Sequence, residues 1–348
     1  MSKHVPTIIP ISDRDQWLEL RKNTIGASES AALFESVTNE SPIEEENDDL
    51  EYSENGEPAS PYLSPLSLWA LKTGRIETVS SPGNRISWGT RLEPIIAAGI
   101  AEKEGWTIHK PEGYYLHPVI PRMGCSLDFN VETDDSGEKY PLEIKNVADT
   151  ERWKWRNAIN EWMIPGHIQI QVQHQMSVTG AAKAYVGVLF GGSEERVFEV
   201  TRDQAMIDEL EASVVDFLWH IDNDVQPTPN LDRDSWVIKR LYAYSDPAHV
   251  LDWSEDEAAK TLVVTMRNHQ SLATRNKKEA DRLRDALILK LGDAVAATLG
   301  DGVLTAKTVE GGDVAYHRDP YRVLRVGKTR NKHGGRPIGQ ILDDQSET

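Results

Sequence analysis

Residues 125–128, Cys125-Ser126-Leu127-Asp128, and residues 142–145, Leu142-Glu143-Ile144-Lys145, decide how this chain is read. Both lie in segments that read as β-strand. Between them Asp134-Asp135-Ser136-Gly137 supplies turn residues, so a hairpin is expected. Side chains two apart on a strand share a face, which puts Glu143 beside Lys145. A hairpin brings Asp128 to them. An aspartate, a glutamate and a lysine at one spot can hold a divalent cation in hard oxygen ligands and orient or deprotonate a water beside a phosphate. A solvent-facing strand with a cross-strand ion pair would carry the same letters, so the flanking sequence has to decide.

Composition narrows the classes. With 348 residues the chain makes one large domain or two modest ones. The single cysteine, Cys125, rules out a disulfide framework, a cysteine-based zinc site and an iron–sulfur cluster. No apolar run is long enough to span a membrane. The start, Met1-Ser2-Lys3-His4-Val5-Pro6, lacks a signal-peptide core, so a cytoplasmic protein is expected. The net charge of −18 is unevenly spread: residues 35–60 carry ten acidic residues and no Lys or Arg. Such a segment reads as a disordered insert. Residues 318–336 hold seven basic residues against Asp319 alone, a tail able to neutralise phosphates or merely to be solvated.

Outward from the hairpin, residues 12–22 read as a helix with Ser12 as N-cap and Arg21 near its end. Gly26-Ala27-Ser28 is a small-residue turn, with Ser28 able to cap the Ala-rich helix that follows; a helix N-terminus, a hydroxyl and Arg21 make a phosphate site. Ser64 to Gly74 reads as a short helix. Trp88 to Ala101 reads as a mainly apolar, buried helix carrying Glu93, whose carboxylate needs a cation or a partner such as Arg91. Trp153, Trp155 and Trp162 lie in a polar segment that either faces DNA or packs in the core. The helix 167–178 puts Gln171, His174, Gln175 and Val178 on one face, and its glutamines can bond a water or phosphate. Residues 223–253 read as a linker. Residues 254–348 form a C-terminal extension: a capping box at Ser254–Glu257, a long helix with a heptad seam broken by His269 and Asn276, two short strands within 302–327, and the basic tail.

In this order the pieces resemble the YqaJ-type phage recombinase family, which includes the phage lambda exonuclease, and the wider PD-(D/E)XK restriction-like nuclease superfamily. The residues carrying the resemblance are Arg21…Gly26-Ala27-Ser28-Glu29, Ser64-Pro65…Leu68-Trp69…Lys72-Thr73-Gly74, Gly89…Glu93-Pro94, Ser126-Leu127-Asp128, Leu142-Glu143-Ile144-Lys145 and Ile164-Pro165…Gln171-Val172-Gln173-His174-Gln175-Met176. It covers roughly residues 12–222, so an exonuclease domain is expected over 1–222. The resemblance implies an α/β (α+β) restriction-endonuclease-like core, a mixed central sheet flanked by helices. It implies Mg²⁺ (with Mn²⁺ substituting) held by Asp128, Glu143 and the Ile144 main-chain carbonyl. Lys145 would position the water, Glu93 and Gln171 would complete the site, and Arg21, Ser28 and Ser126 would hold a 5′-terminal phosphate. It further implies action on double-stranded DNA ends, a ring-like homo-oligomer such as a trimer, a single-strand annealing protein as partner, and a phage or prophage origin in a bacterial host. A restriction-like endonuclease and a DNA-binding protein on a nuclease fold remain the alternatives.

Overall fold

The computed structural model describes residues 5–34, 60–77, 84–134, 136–246, 248–299, 302–309 and 320. It opens with β1 (Thr7–Ile9), α1 (Arg14–Asn23), β2 (Ile25–Gly26), α2 (Pro65–Lys72) and α3 (Asn84–Glu104). Five strands follow: β3 (Thr107–His109), β4 (Tyr114–Leu116), β5 (Met123–Cys125), β6 (Phe129–Glu132) and β7 (Tyr140–Val147). Then come α4 (Gly166–Thr179), β8 (Lys183–Phe190), β9 (Glu194–Thr201), α5 (Gln204–Asp222) and α6 (Ser235–Leu241), completing one compact unit, Met1–Leu241. A second unit, Tyr242–Thr348, holds α7 (Glu257–Leu291) and the hairpin of β10 (Ala296–Thr298) with β11 (Val303–Thr305).

The central sheet has the order β3-β6-β7-β8-β9. Only β7 and β8 run parallel; the other pairs are antiparallel. A parallel pair needs a long crossover, and α4, lying between these two strands in sequence, provides it. The expected hairpin is β6–β7, with Phe129 opposite Leu142. On one side of the sheet Ile96, Ala97 and Ile100 of α3 pack on Phe129, Leu142, Ile144 and Tyr185. On the other, Ile168, Val172 and Met176 of α4 pack on Val186, Val188 and Phe190. Because both faces are covered, β8 reads as an almost unbroken apolar run. The approach of α3 is close enough that a Cβ on Gly187 would meet Ile100 Cδ1 at 2.5 Å. A mixed sheet flanked by helices is thus the observed architecture. Since Leu142 and Ile144 face α3, alternation turns Glu143 and Lys145 toward α4.

Several boundaries differ from the sequence reading. Asp13, not Ser12, caps α1, accepting the Gln16 N–H at 2.9 Å. After Ser28 the chain makes only a 3-10 turn, Ser30–Leu33, without a side-chain cap, so Ser28 keeps its hydroxyl for other partners. The helix carrying Glu93 is buried on one face only: Ile96, Ala97 and Ile100 are inside, while Trp88 and Ile95 are exposed. The stretch read as linker contains α6, whose Val237 is buried, and Asp234 accepts the hydroxyl of Ser64 and the Asn230 N–H. Residues 230–241 are therefore docked onto α2. Asp256 rather than Ser254 caps α7, accepting the Ala259 N–H at 2.9 Å, and no residue of that helix is buried. The strand before Gly302 is β10, so only one of the two strands expected within 302–327 is described there. The acidic insert, apart from Ser60, and the basic stretch 318–336, apart from Pro320, lie outside the described residues.

Candidate active site

β5 belongs to a four-stranded sheet, β1-β4-β5-β2, and β6 to the central one. Ser126-Leu127-Asp128 is the link between them. Buried Leu127 anchors the link, and Asp128 follows just outside the β6–β7 ladder. There Asp128 Oδ2 accepts the main-chain N–H of Ile144 at 2.8 Å. The N–H and C=O of one strand residue point to the same side, so the Ile144 carbonyl also faces the edge where Asp128 sits.

Glu143 is buried, and both of its oxygens are held. Oε1 accepts from Lys145 Nζ at 2.6 Å and from Gln171 Nε2 at 2.7 Å. Oε2 accepts from Gln175 Nε2 at 2.7 Å. Lys145 Nζ also donates to Gln171 Oε1 at 3.2 Å. Glutamines four apart share a helix face, so α4 presents two amides to one carboxylate. Burial, together with the neighbouring Glu143 charge, pushes the Asp128 carboxyl well above the usual carboxylate range. Burial and Glu143 push Glu93 up as well, with Lys145 opposing. For Lys145, burial disfavours the charge, but the Glu143 carboxylate, its hydrogen bond, Asp128 and Glu93 outweigh it, so the ammonium is held above its ordinary pKa.

These shifts test whether the residues fit a divalent cation. Three carboxylates, Asp128, Glu143 and Glu93, sense one another with a single ammonium among them. A bound cation would relieve their repulsion. Among the described residues no three His, Cys, Asp or Glu side chains form a metal cage. Two carboxylates and a main-chain carbonyl, with water completing the shell, is instead the pattern Mg²⁺ favours. The donor set fits.

A second cluster lies at the end of α1. Arg21 Nη2 approaches Ser28 Oγ at 3.3 Å, and its guanidinium stacks 4.7 Å from the Trp17 ring centre. Trp17 Nε1 donates to Ser126 Oγ at 2.8 Å. Arg21, Ser28 and Ser126 are thus brought together through Trp17, two residues from Asp128. The turn between them is fixed from below by Lys72, which donates to the carbonyls of Arg21 and Thr24 at 2.6 and 2.7 Å and pairs with Glu29 at 2.8 Å. Glu29 in turn accepts the Gly26 N–H.

Every residue expected at the metal and phosphate positions falls in one of these two clusters. Gln175, read on one helix face with Gln171, bonds the Glu143 carboxylate rather than a water or phosphate. Two contributors were not singled out for the site by the sequence reading: Trp17 precedes Arg21 by one turn, and Lys72 is a motif lysine whose partners are remote in sequence. The alternative partner for Glu93 is not used: Arg91 lies over the Trp88 ring at 5.4 Å, and the charges that shift Glu93 are Glu143 and Lys145. Arg152, the basic residue after the Glu-x-Lys motif, turns to Asp149 and Glu194 instead. Of the three tryptophans, Trp155 packs on Phe190 in the core, Trp162 lies against Arg156 and Arg196, and Trp153 is exposed.

Comparison with known proteins bears on the same segment. Residues 55–182 match the family profile described as a YqaJ-like viral recombinase domain. Over 244 residues, 69% of this chain, the sequence is 25% identical to the uncharacterized protein YqaJ of Bacillus subtilis (strain 168), a match covering 66% of that relative, just under two thirds. Among solved structures, the alkaline exonuclease LHK-Exo of Laribacter hongkongensis is 18% identical with a TM-score of 0.40, covering 61% of this chain and 94% of that one. LHK-Exo in complex with dAMP gives 21% and 0.42 over the same shares. The matched residues 55–182 contain Glu93, Asp128, Glu143, Lys145 and Gln171, so the similarity to YqaJ-like viral recombinase domains spans the metal-side cluster.

Proposed function

We propose that the first unit is a Mg²⁺-dependent deoxyribonuclease that digests duplex DNA from a 5′ end and leaves a 3′ single strand for phage-type recombination. The observation that carries this reading is the meeting of Asp128, Glu143 and Lys145 at one end of the β6–β7 hairpin, with the Glu143 oxygens held by Lys145, Gln171 and Gln175. Asp128, Glu143 and the Ile144 carbonyl would hold the ion. A bound Mg²⁺ (or Mn²⁺) supplies charge neutralisation at the scissile phosphate and a more acidic water. Lys145 and Gln171 orient that water, and Glu93 adds a proton acceptor at the rim. Arg21, Ser28 and Ser126 would receive the terminal 5′ phosphate, with Arg21 braced on Trp17. The family resemblance extends the proposal to a ring-like homo-oligomer, a single-strand annealing partner and action in the cytoplasm of a bacterial host.

Linear duplex DNA labelled separately at its 5′ and 3′ ends tests the reading, with Lys145→Ala as control. Early Mg²⁺-dependent release of the 5′ label as mononucleotide, absent in the variant and with closed circles intact, is the expected result. Cleavage of closed circles would make the protein an endonuclease. Binding of DNA without cleavage would make it a binding module.

A further inference from the structure

Beside the metal centre stands an aromatic pair that the proposed chemistry does not use. We infer that Tyr62 and His167 form a nucleobase-binding contact at the mouth of the site, receiving the base next to the scissile phosphate; this rests on the nuclease reading above.

His167 sits in the first turn of α4, one turn before Gln171 and two before Gln175. The three share one face of the helix. Their burial falls along the row: Gln175 is 1% exposed, while Gln171 and His167 are half-buried. Glu143 therefore lies at the deep end and His167 at the outer end. Tyr62 stands edge-on to the His167 ring, with centroids 6.1 Å apart and planes at 87°. Tyr62 is 78% exposed, so its ring is open to a flat partner.

The backbone beneath that exposed ring is tied down by hydrogen bonds. The hydroxyl of buried Ser60 accepts the N–H groups of Tyr62 and Leu63 at 3.3 and 3.0 Å. The Ser60 carbonyl in turn accepts from Arg233. An aromatic ring on a fixed backbone loses little freedom when a flat partner stacks on it. The charge state points the same way. Burial, with Lys145 and Lys154 adding to it, pushes the His167 pKa down to about 4, so its ring is neutral near pH 7. A neutral imidazole is a poor phosphate clamp. It is a good partner for a base. Stacking on aromatic rings is tolerant of sequence because every base has a π-face, which suits an enzyme that must digest any end it meets.

The test couples the residue to the base. Duplex ends carrying either a normal or an abasic terminal nucleotide are compared for cleavage, and for binding by anisotropy with Ca²⁺ replacing Mg²⁺, in the wild type, Tyr62→Ala, Tyr62→Phe and His167→Ala. The wild type should lose about tenfold in kcat/KM and in affinity on the abasic end. Tyr62→Ala should lose the same on the normal end and nothing more on the abasic one, and Tyr62→Phe should restore the difference. A full abasic penalty remaining in Tyr62→Ala and in His167→Ala overturns the inference. If the wild type cuts no end, the nuclease reading fails by itself, and the binding arm still decides the base contact. Failure to bind either end overturns both.

Discussion

Asp128 and Ile144 are joined by a 2.8 Å hydrogen bond from the Ile144 main-chain N–H to Asp128 Oδ2. That bond ties the link between the two sheets to the strand carrying Glu143 and Lys145, and it aims the Ile144 carbonyl at the same edge.

Asp128→Asn keeps an oxygen that can accept the Ile144 N–H but loses the charge. The variant should fold with wild-type stability or better, because burial and Glu143 already disfavour the carboxylate in the absence of a cation. Cleavage should fall by about 10²–10⁴-fold, as should that of Lys145→Ala. Calorimetric titration with Mn²⁺ should show weakened binding for Asp128→Asn. An Asp128→Asn enzyme with unchanged metal affinity would remove Asp128 from the ligand set.

Gln171 and Gln175 are expected to differ. Gln175 is the amide on Glu143 Oε2, whereas Oε1 keeps Lys145 if Gln171 is lost. Gln175→Leu should therefore lower stability by about 1–3 kcal/mol, the cost of a buried acceptor left without its donor. Gln171→Leu should cost less in stability and more in turnover. Denaturant midpoints in metal-free buffer separate the two; equal losses would mean that Oε2 finds another donor.

Lys72 should behave as a support for the cluster of Arg21, Ser28 and Ser126. Its side chain is 7% exposed, and burial lowers its pKa despite Glu29. Lys72→Met leaves Glu29 only its longer 3.8 Å pair with Arg21 and frees the carbonyls of Arg21 and Thr24, at about 3 kcal/mol. Adding Glu29→Gln should recover part of that loss. Both the single and the double variant should lose preference for 5′-phosphorylated over 5′-hydroxyl ends. A Lys72→Met protein with unaltered melting and unaltered end preference would refute the supporting role.

His174 gives the fold an acid limit. Burial, partly offset by its hydrogen bond to the Gly124 carbonyl, pushes its pKa from 6.5 down to about 4. Below pH 6.5 the unfolded chain takes up this proton before the folded one does, so stability falls as pH drops from about 6.5 to about 4. The full loss is about 3 kcal/mol. His167, pushed down to about 4 as well, adds to the same slope. Chemical denaturation in steps of pH should show it, and His174→Gln should flatten its share.

Much of the site was legible because its residues lie on regular elements. The two-residue period of β7 pairs Glu143 with Lys145, and the turn residues at 134–137 close the hairpin that brings in Asp128. The four-residue period of α4 sets Gln171 above Gln175. The caps were less legible. Asp13 and Asp256 compete with neighbouring serines for the same N–H groups, and local sequence does not rank them. α6 was hidden because it is short and gains its stability from burying Asp234 and Val237 against α2, not from any pattern of its own.

The sequence by itself determined the hairpin and the helix face that meets it, and its resemblance to a known family implied the mixed sheet flanked by helices. Periodicity and turn chemistry act over a few residues, so they can be read one segment at a time. Only the tertiary structure decided that Trp17 would bridge Arg21 to Ser126, 109 residues from its own position. It alone placed Lys72 under the turn that carries Ser28, and Tyr62 against His167. Those contacts join segments remote along the chain, and packing, which no local pattern encodes, is what brings them within reach.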